Sequence, residues 1–168
     1  MNELNKQREL LSLVWKFHQI LNTAWPKPSV PQMAGSSVFI GTNLFKTLEN
    51  GLSQIKDALI SCEGTKKEML PFWNSFSDLF FKIGMQNRFE KSVRIDEALN
   101  LLYLASGILY HRIREITSAS PQLHAHLSDV EDVGKLLQAC GWTSDKTTIK
   151  EIENELIVEM KASVEKLS

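Results

Sequence analysis

The chain lacks the motifs by which a catalytic function is usually recognised. It has no GxxxxGK[ST] phosphate loop, no GxGxxG segment after a strand, no GxSxG nucleophile turn and no HExxH metal pair. It also has only two cysteines, Cys62 and Cys140, which lie far apart and belong to no CxxC pair. This spacing argues against a disulfide framework or a zinc knuckle. We therefore expect two buried thiols in a reducing compartment, which predicts a cytoplasmic protein.

Long apolar runs and a strong net charge are also missing. No stretch approaches the roughly 18 consecutive apolar residues that a membrane-spanning helix needs, and the amino terminus has no signal-peptide core. We therefore expect neither membrane insertion nor secretion. Because 19 Lys and Arg stand against 20 Asp and Glu, no overall field attracts nucleic acid or anionic lipid. The charge is uneven, however, with a basic excess in residues 1–114 and an acidic excess in residues 115–168.

What the sequence contains is helical periodicity, with no strand-like alternation to compete with it. Pro26, Pro28 and Pro31 interrupt the periodicity and predict a connector over about 26–37. We predict a single all-α domain over residues 1–168, an irregular bundle of about five to seven helices. The segment 93–117 is apolar around most of its circumference, which predicts the central helix. The other helical segments are 3–25, about 38–62, 65–83, 121–140 as one broken or two short helices, and 149–167.

Helix ends are predicted from threonine and glycine positions. Thr65 and Thr148 each precede a glutamate by three residues, the spacing of a capping box, in which the hydroxyl accepts a hydrogen bond from a backbone N–H of the first turn. We therefore expect helices to begin at these two positions. Gly64, Gly84 and Gly141 follow apolar segments, so they predict helix stops.

The first candidate site is a core pocket for a small molecule or cofactor near His18, Tyr103, Gly107 and His111. His111 could act as a general base or a cofactor ligand, and His18 on the first helix could face it across the core. Gly107 would leave room for a ligand. The alternative is structural, because a histidine near a helix end commonly binds terminal carbonyls and a glycine often marks close helix packing.

Two other groups are candidates for binding surfaces. Trp25 and Trp142 stand at predicted helix ends, where exposed tryptophans can anchor an interface; otherwise each closes an end of the core. Arg88, Lys91 and Arg94 form a short basic segment that could hold phosphate groups or an acidic partner.

The leading functional prediction is a non-catalytic protein-interaction module, an adaptor, chaperone-like or regulatory subunit that binds another protein or itself. The alternatives are a helical sensor or enzyme with a ligand at His18 and His111, and weak RNA or anionic-ligand binding through Arg88, Lys91 and Arg94. We predict no particular cofactor. We also predict no metal site, because residues two apart, such as His124 and His126, point to different sides of a helix.

Overall fold

The computed structural model describes residues 3–24, 42–88, 95–117, 126–146 and 148–167. Within these ranges the protein has six helices and no strand, which confirms the predicted all-α bundle. None of these helices combines the length and apolar content that crossing a bilayer requires. The predicted connector over about 26–37 lies outside the described residues. The helices are α1 (Glu3–Ala24), α2 (Thr42–Ser61), α3 (Glu63–Arg88), α4 (Ile95–Thr117), α5 (His126–Ala139) and α6 (Ile149–Lys166).

Helix α4 is the centre of the bundle, as the sequence predicts for residues 93–117. It packs against α1, α3, α5 and α6. From Leu101 to Ile113 every residue is buried except Tyr110, which is half-buried. A helix that is apolar on several sides needs neighbours on each of them, because any exposed face would leave apolar surface in water.

The core is one cluster of buried apolar side chains to which all six helices contribute. Phe17 of α1 contacts Phe76 and Phe80 of α3 edge to face, with ring centroids 5.7 and 6.1 Å apart. Aromatic rings prefer this geometry because the positive ring edge meets the negative ring face. Phe76 and Phe80 of α3 thus lie in the buried core, away from the surface.

Two predicted helix ends are confirmed. The backbone N–H of Glu151 donates to Thr148 Oγ1 at 3.2 Å, and the Thr148 hydroxyl donates to the Glu151 carboxylate at 2.8 Å, so Thr148 caps α6. Gly141 follows α5 with φ of 67°, the left-handed conformation that favours glycine.

The predicted start at Thr65 and stop at Gly64 are wrong. Helix α3 begins at Glu63, so both residues lie in its first turn. The Thr65 hydroxyl donates to the Cys62 carbonyl at 3.1 Å and therefore does not cap the helix at its own position. Because Cys62 alone separates α2 from α3 in the chain, the two helices follow each other almost without a loop.

Gly84 is also not a stop, because α3 continues to Arg88. A Cβ atom at Gly84 would overlap the ring of Phe45 from α2. The glycine therefore admits Phe45, whose ring stacks on Phe80 with centroids 4.9 Å apart. Here the missing side chain allows close packing of α2 on α3.

Arg112 of α4 connects three helices through its guanidinium group. Its Nε donates to Glu153 of α6 at 3.1 Å, its Nη2 to Glu68 of α3 at 2.9 Å, and its Nη1 to Glu115 at 3.2 Å. Lys150 also donates to Glu68, at 2.8 Å. Arg112 and Glu153 are both buried, whereas the side chains of Glu68 and Glu115 are 43% and 49% exposed. These bonds therefore connect α3, α4 and α6 at the edge of the core.

The two carboxylates that face Arg112 from other helices have opposite pKa shifts. Burial raises the pKa of Glu153, although the hydrogen bond from Arg112 works in the other direction. The hydrogen bond from Lys150, together with the charges of Lys150 and Arg112, lowers the pKa of Glu68. Arg112 itself is buried. It therefore cannot contribute to a surface that binds nucleic acid.

Candidate functional site

A pocket of about 420 Å³ lies where α1, α4 and α5 meet. We call it the histidine pocket. Its volume falls within the roughly 300–1,000 Å³ typical of small-molecule sites. The sequence predicted a pocket near His18, Tyr103, Gly107 and His111, and three of these four line it. The residues that line it are Trp15, His18, Tyr103, Tyr110, His111, Arg114, Lys135, Leu136 and Ala139.

His18 is held at the inner end of the pocket by Ser106. The distance between His18 Nδ1 and Ser106 Oγ is 2.6 Å, and the Ser106 hydroxyl donates its proton to the Tyr103 carbonyl at 2.8 Å. Since a hydroxyl has one proton to donate, Ser106 Oγ must accept from His18 Nδ1–H. In the neutral ring this makes Nε2 the basic nitrogen.

Tyr103 forms the wall beside His18. The two rings stack with centroids 4.4 Å apart and planes 16° from parallel. The Tyr103 hydroxyl donates to Asn22 Oδ1 of α1 at 3.2 Å. Burial raises the pKa of Tyr103, and the proximity of Cys140 adds to this shift, so the phenol stays protonated and remains a donor at neutral pH.

The outer wall is aromatic and partly open to solvent. Trp15 is 44% exposed although it is a large apolar residue. Its ring lies 4.9 Å from that of Tyr110 and 5.6 Å from that of His18. The Arg114 guanidinium lies over the Tyr110 ring, 5.8 Å from the centroid, in a cation–π contact. The rings of His18, Trp15 and Tyr110 therefore form a continuous aromatic surface along the pocket.

Gly107 lies behind this surface and sets the distance between the helices. A Cβ atom there would overlap the Leu136 side chain of α5 and would approach His18 Cε1 to 3.1 Å. The glycine therefore acts as a close-packing position, the structural alternative that its sequence context left open. It lets α5 and α1 approach α4 closely enough to form the walls of the pocket.

The lining that the structure describes is positively charged. Arg114 and Lys135 belong to it, and none of the described lining residues is acidic. This set of side chains suits an anion better than a cation.

The other predicted site residues are placed as follows. Trp142 is half-buried and packs against the core after α5; its indole Nε1 is buried and has no hydrogen-bond partner within the described parts of the chain. Trp25, Lys91 and Arg94 lie outside the described residues, and so does the side chain of Arg88, the last residue of α3. Among the side chains that the structure describes, no group of three or more His, Cys, Asp or Glu could hold a metal ion.

Sequence reasoning did not place Trp15, Arg114 and Lys135 in this site. Trp15 precedes His18 by three residues, so the two share a helix face, and this signal could have added Trp15 to the predicted pocket. Arg114 likewise follows Tyr110 by four residues. Lys135 had no such signal, because its position depends on how α5 packs on α4 at Gly107.

Comparison of the chain with protein families, curated proteins and solved structures found no match. Any functional proposal therefore depends on the geometry of the site itself.

Proposed function

We propose that the protein is a helical sensor or regulatory module that binds a small molecule in the histidine pocket. The observation that carries the proposal is the convergence of His18 from α1, Tyr103 and His111 from α4, and Lys135 from α5 on one cavity of ligand size. Concave sites with aromatic walls and a few polar groups are typical of ligand binding.

The geometry favours binding over catalysis. The short contact between His18 and Ser106 resembles a base and nucleophile pair, for which a serine hydroxyl must reach the substrate. Ser106 is 1% exposed, however, and its proton is already donated to the Tyr103 carbonyl. The contact therefore orients His18 and gives Ser106 no access to a substrate.

Ligand screening with a matched pair of variants tests the proposal. Trp15→Ala removes a half-exposed apolar side chain from the pocket, and Ile60→Ala removes an apolar side chain of similar exposure from α2, outside the pocket. We expect some compounds of a metabolite library to raise the melting temperature of the wild type and of Ile60→Ala, with a smaller effect on Trp15→Ala. Compounds that stabilise all three proteins equally, with NMR shifts away from the pocket, would contradict the proposal.

A second candidate function, the interaction module, is favoured by a different surface. Phe81 and Met85 are 46% and 51% exposed and lie one turn apart on α3. Phe81 also lines a groove between α2 and α3, whose charged lining residues are Glu49, Lys56 and Asp78. A second copy of the chain related by a twofold axis could cover the two apolar side chains and place Lys56 opposite Asp78 of the other copy.

Light scattering after size-exclusion chromatography tests this second function. We expect a concentration-dependent dimer that Phe81→Asp abolishes and that Val158→Asp, at an exposed apolar position of α6, does not. A wild type that stays monomeric at all accessible concentrations contradicts it.

A further inference from the structure

We propose that the ligand of the histidine pocket is a planar aromatic oxyanion, that is, one or two rings that carry a carboxylate or a phosphate. The inference rests on the proposed function, since it names the chemistry of the molecule bound at that site. Two independent properties of the lining, its charge and its aromatic wall, lead to this class of ligand.

The first property is the arrangement of cations. Arg114 comes from α4 and Lys135 from α5, and both line the same cavity. A guanidinium group offers two parallel N–H donors that match a carboxylate or phosphate, and a lysine adds a point charge. An oxyanion between the two side chains would therefore contact both helices at once.

The second property is the half-exposed aromatic wall of Trp15 and Tyr110. A flat ring on this wall would remove apolar surface of both side chains from water. A cavity of about 150 Å³ is enough for one benzene molecule in a known engineered case. At about 420 Å³ the histidine pocket has room for one ring or two fused rings beside the charged group.

Cations near the carboxyl ends of helices also have a purely structural explanation, because they oppose the negative end of the helix dipole. Arg114 lies in the last turn of α4, so a loss of stability on its substitution would not distinguish the two roles. The decisive measurement is therefore ligand affinity.

The experiment is an NMR titration of the full chain with four probes: benzoate, phenyl phosphate, benzamide and inorganic phosphate. Benzoate and phenyl phosphate separate the two possible sources of the oxyanion, benzamide removes the charge, and inorganic phosphate removes the ring. We expect at least one of the two aromatic anions to shift the Trp15 indole resonance and to bind about tenfold more tightly than benzamide and inorganic phosphate.

Charge variants then locate the anion. We expect Arg114→Gln and Lys135→Gln each to weaken the aromatic anion about threefold to tenfold. The matched control is Lys161→Gln on α6, an exposed lysine away from the pocket, which should leave the affinity unchanged. Equal weakening by all three variants would indicate a general charge effect and overturn the inference.

The remaining outcomes distinguish a wrong ligand class from a pocket that binds no ligand. If benzamide binds as tightly as benzoate, or inorganic phosphate as tightly as phenyl phosphate, the aromatic oxyanion is wrong even though the pocket binds a ligand. If none of the four probes binds, the ligand class is also wrong. The binding function itself fails only if the library screen finds no compound whose effect depends on Trp15.

Discussion

At the scale of single residues, Arg112 and Glu153 form a buried ion pair whose two members should respond differently to substitution. Arg112→Met leaves the buried Glu153 carboxylate without its main partner, and removing one member of such a pair typically costs about 3–5 kcal/mol. Glu153→Gln should change stability by less than about 1 kcal/mol, because burial already disfavours the charged carboxylate and the amide oxygen can still accept from Arg112.

Urea unfolding of the wild type, both variants and Glu165→Gln measures these differences. Glu165 is an exposed carboxylate on the same helix, so its substitution controls for loss of a charge from α6. A larger destabilisation by Glu153→Gln than by Arg112→Met would show that the attraction, and not desolvation, dominates this pair.

The same residue predicts a pH dependence. Because burial raises the pKa of Glu153 in the folded state, the folded protein binds this proton more tightly than the unfolded chain does. The stability that the group contributes is full below the ordinary glutamate pKa of about 4.3 and falls as the pH rises through the raised value. We expect the stability of Glu153→Gln relative to the wild type to increase from acidic to neutral pH in urea titrations. A decrease over that range would contradict the assigned direction.

The sequence contains a signal for this ion pair. Glu153 follows Ile149 by four residues and precedes Leu156 by three, so it lies on the apolar face of α6. A carboxylate on a buried face needs a cation opposite, and Arg112 occupies an equally apolar stretch of α4. The identity of the partner could not be predicted, because it depends on the packing of α6 against α4.

At the scale of helices, the capping signals at Thr148 and Thr65 had the same spacing and different outcomes. Residues 142–146 before Thr148 are non-helical, so the first N–H groups of α6 need a side-chain partner. Before Thr65, Cys62 alone separates two helices, and the helix begins at Glu63. A local pattern predicts a cap only where the preceding chain leaves the helix, and this depends on packing beyond the local sequence.

Gly107 is the helix position that most directly controls the pocket. Gly107→Ala introduces a methyl group that overlaps Leu136 and presses on His18, and overpacking of this kind costs about 1–3 kcal/mol. The matched control is Gly134→Ala on α5, where no atom of the described residues lies within 4 Å of the added carbon. This variant should be more stable than the wild type by about 0.5–1 kcal/mol, because alanine loses less backbone freedom in a helix.

Thermal and urea unfolding measure the stability of both glycine variants, and near-ultraviolet circular dichroism reports the surroundings of the tryptophan and tyrosine side chains, among them Trp15 and Tyr110. We expect the aromatic signal to change in Gly107→Ala and to stay constant in Gly134→Ala. Stabilisation by Gly107→Ala would mean that α5 can move away from α4 without loss, and it would remove the packing role assigned to this residue.

At the scale of the whole molecule, the sequence predicted α4 at the centre because its apolar residues surround the helix. Only some of the residues that line the histidine pocket could be predicted from the sequence. His18 and His111 were paired as residues that could face each other across the core, whereas the contribution of Lys135 required the position of α5. Periodicity shows which face of a helix is buried, but the neighbour on that face depends on the packing of all six helices.

The arrangement of helices around α4 predicts an order of local stability. Helix α4 packs on four helices, whereas α5 packs mainly on α4, so opening of α5 exposes less buried surface than opening of α4 does. In hydrogen exchange followed by mass spectrometry, we expect the amides of α4 to exchange most slowly and those of α5 to exchange fastest among the helix interiors. A pocket ligand should slow exchange in α5, because Lys135, Leu136 and Ala139 line the cavity. Equal exchange in α4 and α5 without ligand would contradict this order, because it would mean that both helices open only when the whole bundle unfolds.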